Sequence, residues 1–215
     1  MSPKVSEEHK ETRSKAILDA ARQVFSQKGY ASTTMKDVVE KSGMSRGNVY
    51  MYFSSTEAMM LALIGEEDKE NMGQIDALVA ASESIWSVCV ALIQSMETNI
   101  TDLSAGFAAA IYEFYLLQWR INGNSPFLEQ RYDQAVEAFM ALLQLGIDRG
   151  EFQPISPIRD IAGIMISLTD GMTLDCMYLG PHRIKLHRQL DVSIKLLQSV
   201  LQPQIPPIIN EGADH

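Results

Sequence analysis

One short stretch gathers four groups able to read a polyanion: the Ser45 hydroxyl, the Arg46 guanidinium, the Asn48 amide and the Tyr50 phenol. Such groups pair with base edges and with phosphate oxygens. Gly47 lies among them, and a helix backbone sits closest to a groove where a side chain is missing; glycine otherwise costs a helix stability. No other part of the chain offers a comparable set. The four histidines, His9, His182, His187 and His215, are not clustered at metal-ligand spacing, and His182 and His187 would face apart on a helix. There is no phosphate-binding glycine loop, no His-Glu-x-x-His and no Ser–His–Asp set to place, so neither catalysis nor a cofactor is expected. Cys89 and Cys176 lie in apolar helical patterns and read as reduced core residues of a cytoplasmic protein.

Those groups share a direction only if the segment from Ser45 to about Tyr52 is a short helix held by others. Ile17, Leu18, Ala21, Val24 and Phe25 fall on one face of a first helix, over Glu8 to Gln27, which Gly29 stops. Thr34-Met-Lys-Asp37 is a capping box for a second short helix ending near Ser42-Gly43. Val38, Val39, Met44 and Val49 are spaced to pack the two short helices on the first. This is a helix-turn-helix, with the polar residues outward. A second capping box, Ser54-Ser-Thr-Glu57, opens a long helix. Further helices are expected near 55–80, 83–100, 104–121, 126–149, 157–179 and 183–202, divided by Gly123-Asn-Ser-Pro126, Gly150, Ser156-Pro157 and Gly180-Pro181. Nothing alternates with period 2. The expected fold is all-α, with about nine helices: a head at 1–56, a larger body at 57–202 and a loose tail at 203–215.

Charge divides in the same place. The 215 residues carry a net −9, yet residues 1–56 hold nine Lys/Arg against six Asp/Glu, while the rest holds nine against 21. A basic head on an acidic body fits a polyanion met by the head alone. The longest uncharged run, Leu196 to Asn210, contains three prolines, and the next, Ser84 to Met96, is 13 residues. Neither suits a membrane span of about 20 apolar residues.

With these residues in view, the chain resembles the TetR family of bacterial transcription regulators. The likeness rests on Ile17 and Phe25, Gly29-Tyr30, Thr33-Thr34, Ser42-Gly43-Met44-Ser45, Gly47-Asn-Val-Tyr-Met-Tyr-Phe53 and Glu57. The opening Met-Ser-Pro-Lys-Val, Glu113-Phe-Tyr and Trp119-Arg120 are similar to its YfiR-like branch. The resemblance implies that Thr33, Thr34 and Lys36 meet phosphates, that Ser45, Arg46, Gly47, Asn48 and Tyr50 line the major groove, and that Tyr52 touches the backbone. The family commonly has Lys before the Glu57 position. Thr56 stands there instead, leaving phosphate binding to the helix N-terminus with Ser55 and Thr56. This departure bears on affinity more than on mode.

For the body, the resemblance implies a small-molecule effector site. Phe107, Ile111, Phe114 and Tyr115 form a stripe at helical spacing, with Trp86, Trp119, Tyr132, Phe139, Met165 and Met172 on neighbouring segments. They line a cavity or simply make a core. Glu113 is the only charge between Asp102 and Arg120, and Asp170 is one of two between Asp160 and Arg183. A carboxylate on an apolar helix is costly unless paired or useful, so Glu113, with Asp170, favours a cationic apolar ligand, pairs with Arg120 or Arg131, or lies exposed at a helix edge. Ile161, Met165, Leu168, Met172 and Cys176, then Leu190, Ile194, Leu197 and Leu201, repeat at i, i+3 and i+4. In the family the last two helices form a four-helix dimer bundle, so Leu168, Met172, Cys176, Leu190, Ile194, Leu197 and Leu201 are expected at a homodimer interface. A dimer would set two reading helices on a palindromic DNA operator, about one DNA turn or more apart. The implied function is a repressor released by its effector. A regulator without a ligand, an activator, and a helical small-molecule carrier whose head no longer binds DNA stay open beside it.

Overall fold

The computed structural model describes residues 7–103, 106–123 and 125–204. Ten helices carry the described chain: α1 (Glu7–Lys28), α2 (Met35–Ser42), α3 (Arg46–Tyr52), α4 (Thr56–Ala81), α5 (Ile85–Leu103), α6 (Phe107–Asn122), α7 (Pro126–Asp148), α8 (Ile158–Leu179), α9 (Pro181–Ile184) and α10 (Leu186–Leu201). No strand occurs among the described residues. The tenth helix comes from dividing the expected 183–202 segment. Lys185, at φ 54°, turns the chain between a one-turn α9 and α10. The second expected capping box also shifts by one residue. Ser55, not Ser54, accepts the Ala58 N–H at 3.1 Å, and the Glu57 carboxylate instead accepts from Gln118 Nε2. Most of the expected tail lies outside the described residues.

The chain groups into two compact units that do not follow the division at residue 56. The first is Met1–Asp76 with Thr98–Leu128; the second is Ala77–Glu97 with Glu129–His215. In the first, Ile17, Ala21 and Phe25 of α1 share one core with Val38 of α2 and Val49 of α3. Met59, Met60, Leu63 and Ile64 of α4 and Ala110, Ile111 and Phe114 of α6 complete that core. The helix-turn-helix therefore rests on α1, and α1 rests on α4 and α6. Burial is the main stabilising term here, at roughly 1.5–3 kcal/mol for each large apolar side chain.

The second unit buries Ile85, Val88, Cys89 and Ile93 of α5, Val136, Leu142 and Leu143 of α7, Met165, Met172 and Cys176 of α8, and Leu190, Leu197 and Leu201 of α10. The loop after α7 fastens several of its ends. The Gln153 and Ile155 N–H groups donate to Leu201 O and Val200 O, and Gln204 N–H donates to Glu151 O at 2.7 Å. The Glu151 carboxylate reaches the start of α5, where it accepts from Ser84 Oγ (2.8 Å), Ile85 N–H (3.0 Å) and Trp86 N–H (3.2 Å). Burial opposes that charge, but these donors hold the Glu151 carboxyl below its ordinary value. Both cysteines are buried free thiols. Burial, with the Glu151 charge beside it, pushes Cys89 up to about 12.

Candidate nucleic-acid interface

The outward placement of α3 rests on three local devices. At the start of α2 the Thr34 hydroxyl accepts the Asp37 N–H at 3.3 Å, and the Asp37 carboxylate accepts the Thr34 N–H at 2.8 Å. The Lys28 ammonium, then Thr34, hold the Asp37 carboxyl well below the usual carboxylate range. Gly43 ends α2 at φ 66°, a conformation that glycine adopts without strain. Ser45 then caps α3 by accepting the Asn48 N–H at 3.3 Å.

Val49 is wholly buried, which turns the opposite face of α3 outward. Arg46, Gly47, Tyr50 and Met51 are exposed on that face, and the Arg46 guanidinium stands 5.1 Å from the Tyr50 ring centroid. A contact of that kind limits the freedom of a long cation at small cost. A Cβ on Gly47 would meet nothing within 4 Å, so no packing inside this chain calls for the glycine. Lys36 is also exposed, its ammonium 3.7 Å from Glu40. Ser45, Arg46, Gly47 and Tyr50 are thus exposed at α3, with Asn48 half-buried beside them, and Lys36 is exposed on α2.

Several expected contacts are engaged elsewhere. Thr33 is buried, and its hydroxyl donates to Gly29 O at 2.6 Å, so it faces inward and not toward a phosphate. The Thr34 hydroxyl donates to Asp37 Oδ2 within the capping box, and the Ser55 hydroxyl caps α4. The pKa of the Tyr30 phenol is raised by burial and by the Glu57 charge, which outweigh the opposing effect of Thr56. Tyr52 is half-buried against the core. Met51, 72% exposed, was not among the expected contacts. Helical arithmetic locates it, since it stands four residues after Gly47 and so on the same face.

The residues expected to hold an effector divide between the two units. Phe107, Ile111, Glu113, Phe114, Tyr115 and Trp119 belong to the first; Trp86, Phe139, Met165, Asp170 and Met172 belong to the second. The aromatic stripe of α6 is core: Phe107 lies 6.4 Å from Phe25, and Phe114 stands edge-on to Tyr30 at 4.8 Å. The Glu113 carboxylate is engaged with this chain's own backbone, accepting the Tyr30 N–H at 2.6 Å, so the expectation that it receives a cationic ligand loses its basis. Asp170 and Trp119 are exposed. Two open surface hollows, of about 280 and 340 Å³, lie beside Lys28 and Asp37 and beside Tyr132 and Ile164. None of these expected ligand residues borders either one; Tyr132, from a neighbouring segment, lines the second.

The expected dimer residues also change place. Met172, Cys176, Leu190, Leu197 and Leu201 are buried within the chain itself and have no surface left for a partner, while Leu168 and Ile194 are half-buried. The apolar residues left outward are Ile164, Tyr178 and Leu179 of α8 and Val192 and Leu196 of α10. Among the described residues no group of three or more His, Cys, Asp or Glu is placed to hold a metal, and no helix is long and apolar enough to cross a membrane.

Known proteins share this arrangement. Residues 17–63 match the family model for "Bacterial regulatory proteins, tetR family", and residues 89–187 match "Tetracyclin repressor-like, C-terminal domain". The chain is 39% identical over 202 residues to the uncharacterised HTH-type transcriptional regulator YfiR of Bacillus subtilis, spanning 94% of this chain and 98% of that protein. It is 33% identical over 117 residues to the HTH-type transcriptional repressor Rv1474c of Mycobacterium tuberculosis, spanning 49% of this chain and 62% of the relative. The transcriptional regulator FadR of Bacillus subtilis, solved in complex with stearoyl-CoA, has the same fold: TM-score 0.64 at 18% identity, over 85% of this chain and 96% of FadR. A capped, outward-facing reading helix and a relative matched almost end to end lead to one conclusion: the chain belongs to the TetR family of DNA-binding transcriptional regulators.

Proposed function

We propose that this protein is a ligand-responsive repressor that binds a palindromic operator as a homodimer and leaves it when a small molecule binds. Residues 1–56 are its DNA-binding head, 57–202 its effector and dimer body, and 203–215 a tail; it works in the cytoplasm, where its DNA is. The observation that carries this reading is the outward face of α3. Arg46 and Tyr50 stand ready beside an unobstructed Gly47, and Ser45 and Lys36 flank them. Arg46 and Asn48 read base edges, Met51 meets a thymine methyl, and Lys36, with the Thr34 end of α2, holds the phosphate backbone.

A second copy of the chain docks on the outward face of α8 and α10, through Ile164, Tyr178, Val192 and Leu196. The effector is apolar and takes the aromatic and sulfur-bearing side chains of the second unit, Trp86, Phe139, Met165 and Met172. FadR, solved with stearoyl-CoA, shares the fold, which supports an apolar class of ligand. The effector weakens DNA binding only by preferring the conformation that DNA does not, with a coupling of about 1–3 kcal/mol.

Selection of duplexes from a random pool tests the reading. The expected result is an enriched palindrome whose affinity falls steeply with salt. No enrichment would sink it and favour the carrier. A thermal-shift panel of cationic, neutral and anionic apolar compounds, followed by release of the selected duplex, tests the effector. A chain that no compound shifts or releases is a regulator without a ligand.

A further inference from the structure

Glu113 is the one charge on a long apolar stretch, and its position is unusual. It belongs to α6, yet its carboxylate grips the turn between α1 and α2, accepting the Tyr30 N–H at 2.6 Å. That turn is held from two other sides. The Tyr30 ring stands edge-on to Phe114, the next residue of α6, at 4.8 Å, and it lies 5.8 Å from the Phe25 ring of α1. Gly29 makes the approach possible. It adopts φ +76°, and a Cβ there would lie 2.6 Å from Glu113 Oε2. The other end of the contact is as close: a Cβ on Gly106, which precedes α6, would lie 2.7 Å from Ser26 O.

From this grip we infer that Glu113 is a positioning residue for DNA binding, acting through Tyr30. A charge-assisted bond from a carboxylate to a backbone N–H is directional and stronger than a neutral one. Placed on the turn, it fixes the angle at which α2 and α3 leave α6. The bond goes to the Tyr30 N–H and not to a side chain of the α3 face, so it leaves each head's own grip on a half-site intact. What it sets is whether two heads meet two half-sites together. A displacement of α6 would carry the Tyr30 turn with it. This inference rests on the dimeric DNA-binding reading above.

The test uses the full chain and the duplex that the wild-type protein selects, together with a duplex holding one half-site. Glu113→Ala is expected to weaken full-site binding about tenfold and to leave half-site binding within about twofold. Glu113→Gln keeps an acceptor and should fall between Glu113→Ala and wild type. Exchange of the Tyr30 amide hydrogen, read by NMR, should quicken in both variants. Equal losses on the full and half sites would mean that the head is merely destabilised, and would overturn the inference; so would unchanged full-site binding. If Glu113→Ala fails to fold, Glu113→Gln decides by the same comparison. A wild-type protein that selects no duplex overturns the regulator reading and this inference with it, whereas normal selection with an indifferent Glu113 variant overturns this inference alone.

Discussion

Two outward faces of this molecule are built from opposite materials. On α3, burial of Val49 leaves Arg46, Gly47, Tyr50 and Met51 to solvent, within residues 1–56, a stretch of net positive charge. On α8 and α10, burial of Leu190, Leu197 and Cys176 leaves Ile164, Tyr178, Val192 and Leu196 outward, on a body of net negative charge. Each of these helices buries its own apolar residues and turns the rest outward. The difference lies in what the second face offers. A polar, cationic and aromatic surface gains from a polyanion, through hydrogen bonds and counterion release. An apolar surface of the same helical geometry gains only by exclusion of water against another such surface. The first face thus suits a polyanion and the second another apolar surface, and each proposed role can be tested by its own substitution.

The largest effect is expected on the first face. Arg46→Ala combined with Tyr50→Ala removes a candidate base contact, its stacked ring and the side-chain order between them. Each such contact contributes about 1–3 kcal/mol and a dimer loses each twice, so affinity for the selected duplex should fall about a thousandfold or more. The oligomeric state should not change. Retained affinity in a gel-shift titration would remove α3 from the interface.

On the second face, Leu196→Asp puts a charge at the proposed contact between copies. The dimer dissociation constant, measured by light scattering over a dilution series, should rise about a hundredfold or more. Thermal unfolding should change little at high dilution, because Leu196 is already exposed within the chain. A variant that associates as wild type does would move the interface elsewhere. Full-site DNA binding should weaken with dissociation, while half-site binding survives, the reverse of the Arg46 and Tyr50 pattern.

Two helical glycines sharpen the contrast. A Cβ on Gly146 of α7 would overlap the Phe152 ring, whereas one on Gly47 would meet nothing within 4 Å. Gly146→Ala should therefore destabilise the chain, by about 1–3 kcal/mol, with no direct effect on DNA affinity. Gly47→Ala should leave the free protein as stable or more so, by up to about 1 kcal/mol, while weakening its hold on DNA. Urea unfolding and gel-shift titration of both variants check the two signs. Loss of stability in Gly47→Ala with intact DNA binding would mean that the glycine serves the fold alone.

What was legible in the sequence follows the range of the interactions. The three helices of the head could be read to within a residue or two because Thr34, Gly43 and Ser45 act on their immediate neighbours. Ser54 and Ser55 compete for one cap, and sequence pattern favoured the wrong hydroxyl. The tertiary partner of Glu57, Gln118, lies 61 residues away. Glu113 stood out as an isolated charge, but its partner is a backbone N–H 83 residues distant, and backbone groups carry no sequence signal. The apolar stripes of α8 and α10 were visible too. Periodicity alone could not divide the inward residues from the outward ones, since both are apolar. Thr33 misled for a different reason: a hydroxyl beside a helix start suits a phosphate and a carbonyl equally well, and here Gly29 O claims it.

Glu151 is the smallest effect and the one with a pH signature. Its carboxylate caps α5 from the loop after α7, and its donors, Ile85 N–H, Ser84 Oγ and Trp86 N–H, hold the folded carboxyl below the ordinary 4.5 despite burial. The unfolded chain therefore takes up this proton first as pH falls. The stabilisation is complete above 4.5 and is lost as pH drops through the folded value. Glu151→Gln removes the charge but keeps the shape, and should cost about 1 kcal/mol near neutral pH, as the loss of a helix cap does. The gap between variant and wild type should stay constant from neutral pH down to mild acid, then narrow below the carboxyl's ordinary value. Paired urea titrations across that range measure it. A gap that persisted unchanged into strong acid would assign the role of Glu151 to shape alone. A gap that closed would locate the contribution in the charge held over the start of α5, in a unit whose stability is otherwise apolar, and DNA affinity per dimer should not register the change.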